Sequence, residues 1–128
     1  MGCDIHGWVE VKHHGVQSFD YKVVDINFIN RNYTIFGYLF GVRGDCEHPI
    51  APKRGLPSNV SSYVAEESED YGTDGHSHSW ISLKEINNAL LKEEIEFTSD
   101  WQLLFSLMEK LGNYYGEDNV RLVVWFDN

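Results

Sequence analysis

Alternating apolar and polar residues mark the start of the chain as a strand. Ile5, Val9 and Val11 share one face, and polar or amphipathic side chains share the other. This period of two is typical of a strand with one face on a hydrophobic core. Residues 13–15 then predict a turn and residues 21–26 a second strand, so the two strands form a hairpin.

Helical spacing follows in several segments. Residues 32–41 place aromatic side chains on one side and predict a short, mostly buried helix, whereas residues 60–69 predict a polar helix. Ser82 and Glu85 have the spacing of a capping box, in which each residue satisfies a backbone N–H of the other, and they open a third helix.

A fourth helix is predicted most strongly. Ser99 and Gln102 have the same capping-box spacing, and an apolar stripe runs from Trp101 to Leu111. Gly112 suits the C-terminal end of this helix, where a left-handed residue is common.

Two loops and one strand complete the prediction. Residues 42–59 contain all three prolines and predict a long irregular loop, and the glycine-histidine segment 72–79 predicts a second loop. Residues 120–126 are too rich in valine and aromatics for a helix and predict a buried central strand.

The predicted fold is a single α+β domain over residues 1–128. It has a small, mostly antiparallel sheet containing both the N- and C-terminal strands, with three or more helices packed on one face.

Composition narrows the class of partner. The 128-residue chain carries a formal net charge of −10 and only 10 lysines and arginines, so an acidic, soluble surface is expected and a nucleic acid polymer is a poor partner. There is no signal-peptide pattern and no apolar run of membrane-spanning length. With two cysteines only, Cys3 and Cys46, the expectation is a cytoplasmic protein with reduced thiols and no membrane partner.

The first candidate chemistry lies in the N-terminal strand. Asp4 and His6 are two residues apart, so both side chains should lie on the face away from the core. A carboxylate beside an imidazole orients it and prepares it for acid–base work or metal binding. The alternative is a hydrogen-bonded polar pair at the start of a strand.

The second candidate lies in the glycine-histidine segment. If this segment is extended, His76 and His78 face one way, and Asp74, Asp4 and His6 would complete a ligand set for a divalent metal such as zinc or manganese. Without a metal, His6 could form an acid–base pair with His76 or His78. The competing interpretation is a polar loop whose side chains bond to its own backbone.

Three arginines border the aromatic helix and the proline-containing loop: Arg31, Arg43 and Arg54. Arg43 and Arg54 each precede a glycine, and a guanidinium beside unhindered backbone favours phosphate capture. A flat base could stack on one of the aromatic rings nearby in sequence, of which Tyr33 and Trp80 are the leading choices beside Tyr38, Tyr63 and Tyr71. The alternative is that these arginines bridge surface carboxylates, a common and weak contribution.

The opening Met-Gly-Cys-Asp-Ile-His resembles the start of a group of small, uncharacterised proteins of bacteriophages and prophages. The resemblance continues in short motifs over nearly the whole chain: Arg31-Asn32-Tyr33 to Arg43, Arg54-Gly55-Leu56-Pro57, Asp74-Gly75-His76-Ser77, Ser79-Trp80, and the ending from Arg121 to Asn128. Ser58 departs from it, because an acidic residue is expected after Pro57.

The resemblance implies a setting rather than a mechanism. Accessory phage proteins commonly act on host defence inside the infected bacterial cell, and many such defences signal with cyclic or ADP-ribose-type nucleotides. The leading hypothesis is a homo-oligomeric protein that sequesters a small phosphorylated, nucleotide-like ligand. Arg31, Arg43 and Arg54 would contact phosphate, Tyr33 or Trp80 would stack on a base, and the histidines at positions 6 and 76 would add polar contacts. The alternatives are a hydrolase or phosphodiesterase that uses the Asp/His cluster as metal ligands or acid–base groups, and a protein–protein inhibitor of a host enzyme.

Overall fold

The first and last strands in the sequence form the centre of the sheet. In the computed structural model, which describes residues 2–128, four antiparallel strands lie in the order β2–β1–β4–β3. The strands are β1 (Asp4–Val11), β2 (Tyr21–Asp25), β3 (His76–Ser82) and β4 (Val120–Asp127). The helices are α1 (Tyr33–Phe40), α2 (Ser62–Glu69), α3 (Leu83–Lys92) and α4 (Ser99–Tyr115). Short 3-10 turns occupy Gly72–Asp74 and Glu117–Asn119.

Three helices cover one face of this sheet. Alternate residues of β1 and β4, such as Val9 and Leu122, point into a core that also holds Phe36 of α1, Ile86 of α3 and Trp101 of α4, all buried. The period-two pattern of β1 and the 3.6-residue stripes of the helices meet in this core. The predicted α+β fold is therefore confirmed, with both end strands in the sheet and helices gathered on one face.

The other face of the sheet is also covered, which the sequence did not predict. Helix α2 covers this second face. It places Val64 against Val123 and Trp125 of β4, and Trp8 of β1 packs beside them. Trp8 also donates its indole N–H to Glu67 of α2 at 2.8 Å. Residues on the second face of β1 and β4 consequently lie in a partly enclosed layer rather than in open solvent.

A buried ion pair fixes the register of the two central strands. Glu10 and Arg121 oppose each other on β1 and β4, and Arg121 donates to one Glu10 carboxylate oxygen from Nε at 2.9 Å and Nη2 at 2.8 Å. The other carboxylate oxygen accepts the backbone N–H of Ser61, the N-cap of α2, at 2.9 Å. A slip of either strand by one residue would turn the core residues of that strand to the opposite face and separate this pair.

The glycine-histidine segment is the main correction to the predicted elements. The predicted loop over residues 72–79 is wrong from His76 onward, because His76–Ser82 forms the edge strand β3. Its alternation is hidden by a β-bulge between His76 and Ser79, where Ser77 has a left-handed φ of 56°. A bulge inserts one unpaired residue and so interrupts the period of two.

Both ends of α4 also differ from the prediction. Its N-cap is Thr98, not Ser99, and the Asp100 carboxylate accepts from the Thr98 hydroxyl and from the Asn30 N–H. Gly112 lies inside the helix, which continues to Tyr115. A side chain at this position would meet Leu83 Cδ2 at 2.5 Å, so glycine here serves the close approach of α3 and α4.

Candidate functional site

The candidate residues gather mostly at one end of the sheet, where β1 begins and β4 ends. Asp4 and Asp127 oppose each other there on neighbouring strands, an arrangement in which two carboxylates repel. Each carboxylate has its own cationic or imidazole partner. Arg31 donates to both oxygens of Asp4, at 2.7 Å and 3.2 Å, and this hydrogen bond lowers the pKa of Asp4.

His6 is oriented by Asp127 and not by Asp4. Its Nε2 lies 2.5 Å from Asp127 Oδ1, and its ring lies 4.6 Å, centroid to centroid, from the ring of Tyr71. The side chain is partly buried on the face that α2 covers. Asp4 and His6 do follow the same-face alternation of β1, but the carboxylate that would prepare the imidazole is supplied from the far end of the chain.

His76 lies on the opposite face of the sheet from His6. It pairs in register with Phe126 and stacks on that ring, whereas His6 pairs with Trp125. Because β1 and β3 flank β4, these two histidines are two strand spacings apart, roughly 10 Å. They share one end of the sheet but do not face each other, so the predicted acid–base pair between them does not form.

The remaining histidine of β3 lines a different surface. His78 lines an open cleft of about 600 Å³ with Leu56, Ser68 and Glu69. Burial lowers the pKa of its imidazole, and the neighbouring charge of His76 lowers it further. Asp74 lies in the 3-10 turn that precedes β3.

The predicted metal ligands do not converge. Within residues 2–128, no three His, Cys, Asp or Glu side chains come close enough together to hold a metal ion. The five candidates are instead separated. Asp4 is paired with Arg31 and His6 with Asp127. His76 lies against Phe126, His78 lines the cleft beside α2, and Asp74 lies in the turn before β3.

Arg54 and Trp80 contact each other. The guanidinium lies 4.8 Å from the Trp80 ring centroid and donates to both carboxylate oxygens of Glu85, at 2.8 Å and 2.6 Å. The same group donates to the backbone oxygens of Ile50 and Trp80. The hydrogen bond from Arg54 lowers the pKa of Glu85. Arg54 therefore ties the proline-containing loop to β3 and α3, and for this arginine the carboxylate-bridging interpretation is the correct one.

Tyr33 and Arg43 line a cleft on the α1 side of the same sheet end. The cleft has a volume of about 390 Å³. The Arg43 guanidinium carbon lies 5.7 Å from the Tyr33 ring centroid. The Tyr33 hydroxyl accepts the backbone N–H of Cys3 at 3.0 Å, and Arg43 Nη2 lies 3.4 Å from Asn128 Oδ1. The residues that line the cleft are Tyr33, Thr34, Tyr38, Arg43, Gly44, Asp45, Cys46 and Ile95.

A glycine pair places this arginine. Arg43 has a left-handed φ of 64°, and Gly44 beside it lies against Gly37 of α1. A Cβ on Gly37 would lie 2.5 Å from the Gly44 Cα, and a Cβ on Gly44 would lie 2.3 Å from the Tyr33 carbonyl oxygen. The loop after α1 can approach the helix this closely only without side chains at both positions.

Several contacts of the sheet end were not predicted from the sequence. Asp127 contacts His6, Asn128 contacts His76, the Tyr71 ring lies against His6 at a tilt of 38°, and Tyr38 and Cys46 line the cleft. The abrupt change from an apolar run to Asp-Asn at the end of β4 is a signal that could have identified the first two. Nothing local in the sequence identifies the others, because tertiary packing brings them to the site.

Comparison of the chain with known proteins finds no relative. No family model, no curated protein and no solved structure matches the chain. The resemblance to phage proteins therefore stays a prediction. Among the described helices, none combines the length and apolar character that crossing a membrane requires.

Proposed function

We propose that the protein binds a small phosphorylated, nucleotide-like molecule in the cleft of Tyr33 and Arg43. The observation that carries this proposal is the pairing of one guanidinium with one aromatic ring, 5.7 Å apart, in a cleft of about 390 Å³. That volume lies within the range of small-molecule sites. A guanidinium binds phosphate through charge-assisted hydrogen bonds, and a tyrosine ring offers a stacking surface for a base.

Charge favours this cleft over a larger neighbour. A cleft of about 500 Å³ is lined by Glu93, Glu94 and Glu96, which repel a phosphate. Arg31 lies two residues before Tyr33 of the cleft, but it donates to both carboxylate oxygens of Asp4, which offsets its charge. In a chain of net charge −10, the Arg43 guanidinium is the group of this lining that would attract an anion, and Asp45 is the one carboxylate beside it in the lining.

The resemblance to phage proteins implies action inside an infected bacterial cell. There, this binding would sequester a host defence signal of the cyclic or ADP-ribose nucleotide type. A homo-oligomer would deepen the open cleft by adding a wall from a second copy. Sequestration and hydrolysis differ in what leaves the protein. A sequestered ligand is released intact when the protein is denatured, whereas a hydrolase releases a product.

The test uses the purified protein with a panel of cyclic mononucleotides, cyclic dinucleotides and ADP-ribose derivatives. Filtration measures which ligand is depleted, and heating the filtered protein followed by chromatography shows whether the same ligand returns. We expect depletion of at least one ligand and its intact recovery. Depletion of none, or recovery of a new product, would overturn the sequestration proposal.

A matched pair of variants locates the site. Arg43 and Lys53 are both basic, and both have left-handed φ, 64° and 43°. Arg43→Gln and Lys53→Gln therefore each remove one positive charge at a position with left-handed φ, but only Arg43 lines the cleft. We expect Arg43→Gln to weaken binding about 10- to 100-fold, which corresponds to a charge-assisted hydrogen bond of about 1.5–3 kcal/mol, and Lys53→Gln to leave it unchanged. Equal effects from the two variants would contradict a role for Arg43.

A further inference from the structure

Ser77 carries a hydroxyl that is hydrogen-bonded to a base. Its Oγ lies 2.9 Å from His76 Nδ1, and His76 Nε2 lies 3.1 Å from Asn128 Oδ1. A hydroxyl, an imidazole and an amide or carboxylate oxygen in sequence form the arrangement by which proteins activate a serine nucleophile. Both Ser77 and His76 are partly exposed, so a small substrate can reach them.

Hydrogen-bond chemistry fixes the direction of this chain of contacts. The guanidinium of Arg43 is a donor only, and its Nη2 lies 3.4 Å from Asn128 Oδ1. Asn128 therefore presents its carbonyl oxygen toward both neighbours, and neutral His76 must place its proton on Nε2 to donate to that oxygen. Its Nδ1 is then an acceptor, so the hydroxyl of Ser77 donates to it.

The backbone at Ser77 is strained. Its φ of 56° is left-handed, which disfavours a residue with a Cβ, and it lies in the bulge of β3. Strained non-glycine residues and bulges concentrate where a side chain is aimed for function. Phe126 stacks on the His76 ring, with 6.4 Å between centroids and 27° between planes, and supports the imidazole from the core side.

We propose that Ser77 is a nucleophile, with His76 as its base, toward an activated phosphoric or carboxylic ester. Asn128 is a positioning residue that sets the His76 tautomer. In the step proposed, Ser77 Oγ bonds to the phosphorus or carbonyl carbon, and the bond to the leaving oxygen breaks with its electron pair. The hydroxyl proton moves to His76 Nδ1 and then to the leaving oxygen. This inference does not depend on ligand binding in the Arg43 cleft.

A fluorophosphonate probe tests the proposal directly. In its reaction Ser77 Oγ would bond to phosphorus, fluoride would leave with the bonding electrons, and the proton would pass to His76. We expect stoichiometric labelling of the intact protein, located at Ser77 by peptide mass spectrometry. Labelling should be lost in Ser77→Ala and Ser77→Gly, of which the second also removes the backbone strain. Ser106→Ala, at an exposed helical serine, should label like the wild type.

The partners of Ser77 are tested by the labelling rate. Removing a general base typically lowers a rate about 100-fold or more, so we expect His76→Gln to slow labelling by that factor. Asn128→Ala should slow labelling, and Asn128→Asp, which keeps an acceptor oxygen, should restore it. No labelling of the wild type, equal labelling of Ser77→Ala, or an unchanged rate in His76→Gln would each overturn the proposal. None of these outcomes would alter the ligand depletion expected of the Arg43 cleft.

Discussion

Replacing the buried pair Glu10 and Arg121 tests whether the two residues act as one unit. Both side chains are buried, and Arg121 also donates to the side-chain and backbone oxygens of Asn59 and lies 3.6 Å from the Phe19 ring centroid. Burial lowers the pKa of the Arg121 guanidinium, and the hydrogen bond and charge of Glu10 offset this only in part. The pair therefore holds register and anchors α2 more than it adds net stability.

The expected free energies follow from what each change leaves unpaired. Glu10→Met leaves a guanidinium without its carboxylate, and Arg121→Met leaves a buried carboxylate, so each single change should cost about 3–5 kcal/mol. The double variant removes both charges. It leaves mainly the Ser61 N–H without its acceptor, which costs about 1–3 kcal/mol. The double variant should therefore be at least as stable as either single variant.

Urea denaturation of the four proteins, followed by circular dichroism, measures the free energy of unfolding and the coupling between the two sites. We predict a coupling of about 3 kcal/mol or more, since the two single losses overlap. Single variants that fail to fold beside a double variant that folds would support the same conclusion. Additive losses, with the double variant less stable than both single variants, would refute it.

Three further predictions concern stability and its dependence on pH. Gly37→Ala should lower the free energy of unfolding by about 1–3 kcal/mol and weaken ligand depletion, because its Cβ would meet the Gly44 backbone; denaturation and filtration measure the two effects. The folded-state pKa of His78 is lowered, so the unfolded protein binds the proton first as pH falls below about 6.5, and stability falls. His78→Gln should lose less stability than the wild type between pH 7.5 and pH 5.5, as measured by urea titration at both values, and equal losses would contradict this. The Arg54–Glu85 pair stabilises the fold above the ordinary glutamate pKa of 4.5 and loses that contribution as pH falls through the lowered folded value. Glu85→Gln keeps a capping-box residue and should be less stable than the wild type by up to about 1 kcal/mol at neutral pH, and the difference should shrink as the pH falls through the lowered folded pKa.

The sequence predicted the elements wherever one local period ran without interruption. The aromatic helix, the hairpin of the first two strands, the capping box at Ser82 and the central strand from Val120 are all present. It failed at β3, where the bulge at Ser77 breaks the alternation, and at Gly112, whose role is set by the distant Leu83. Both failures have a tertiary cause that no local pattern carries.

The sequence predicted which residues lie near the candidate site better than it predicted their partners. Tyr33 and Arg43 do share one cleft, and Asp4 and His6 do follow one face of β1. The partners differ, because Arg31 binds Asp4 and Asp127 binds His6. Contacts between residues distant in sequence depend on the order of the strands in the sheet. The alternation of apolar and polar residues predicts strands but not their order, in which β4 lies between β1 and β3.

The most direct test of the proposed function is where a bound nucleotide perturbs the protein. A ligand identified by depletion would be titrated into isotope-labelled protein while the backbone amide signals are followed by NMR. We predict that the largest shifts fall at Tyr33 and residues 41–46, and that Arg43→Gln removes them at the same ligand concentration. Shifts centred on the His78 cleft or on His6 and Tyr71, with residues 41–46 unchanged, would contradict the account.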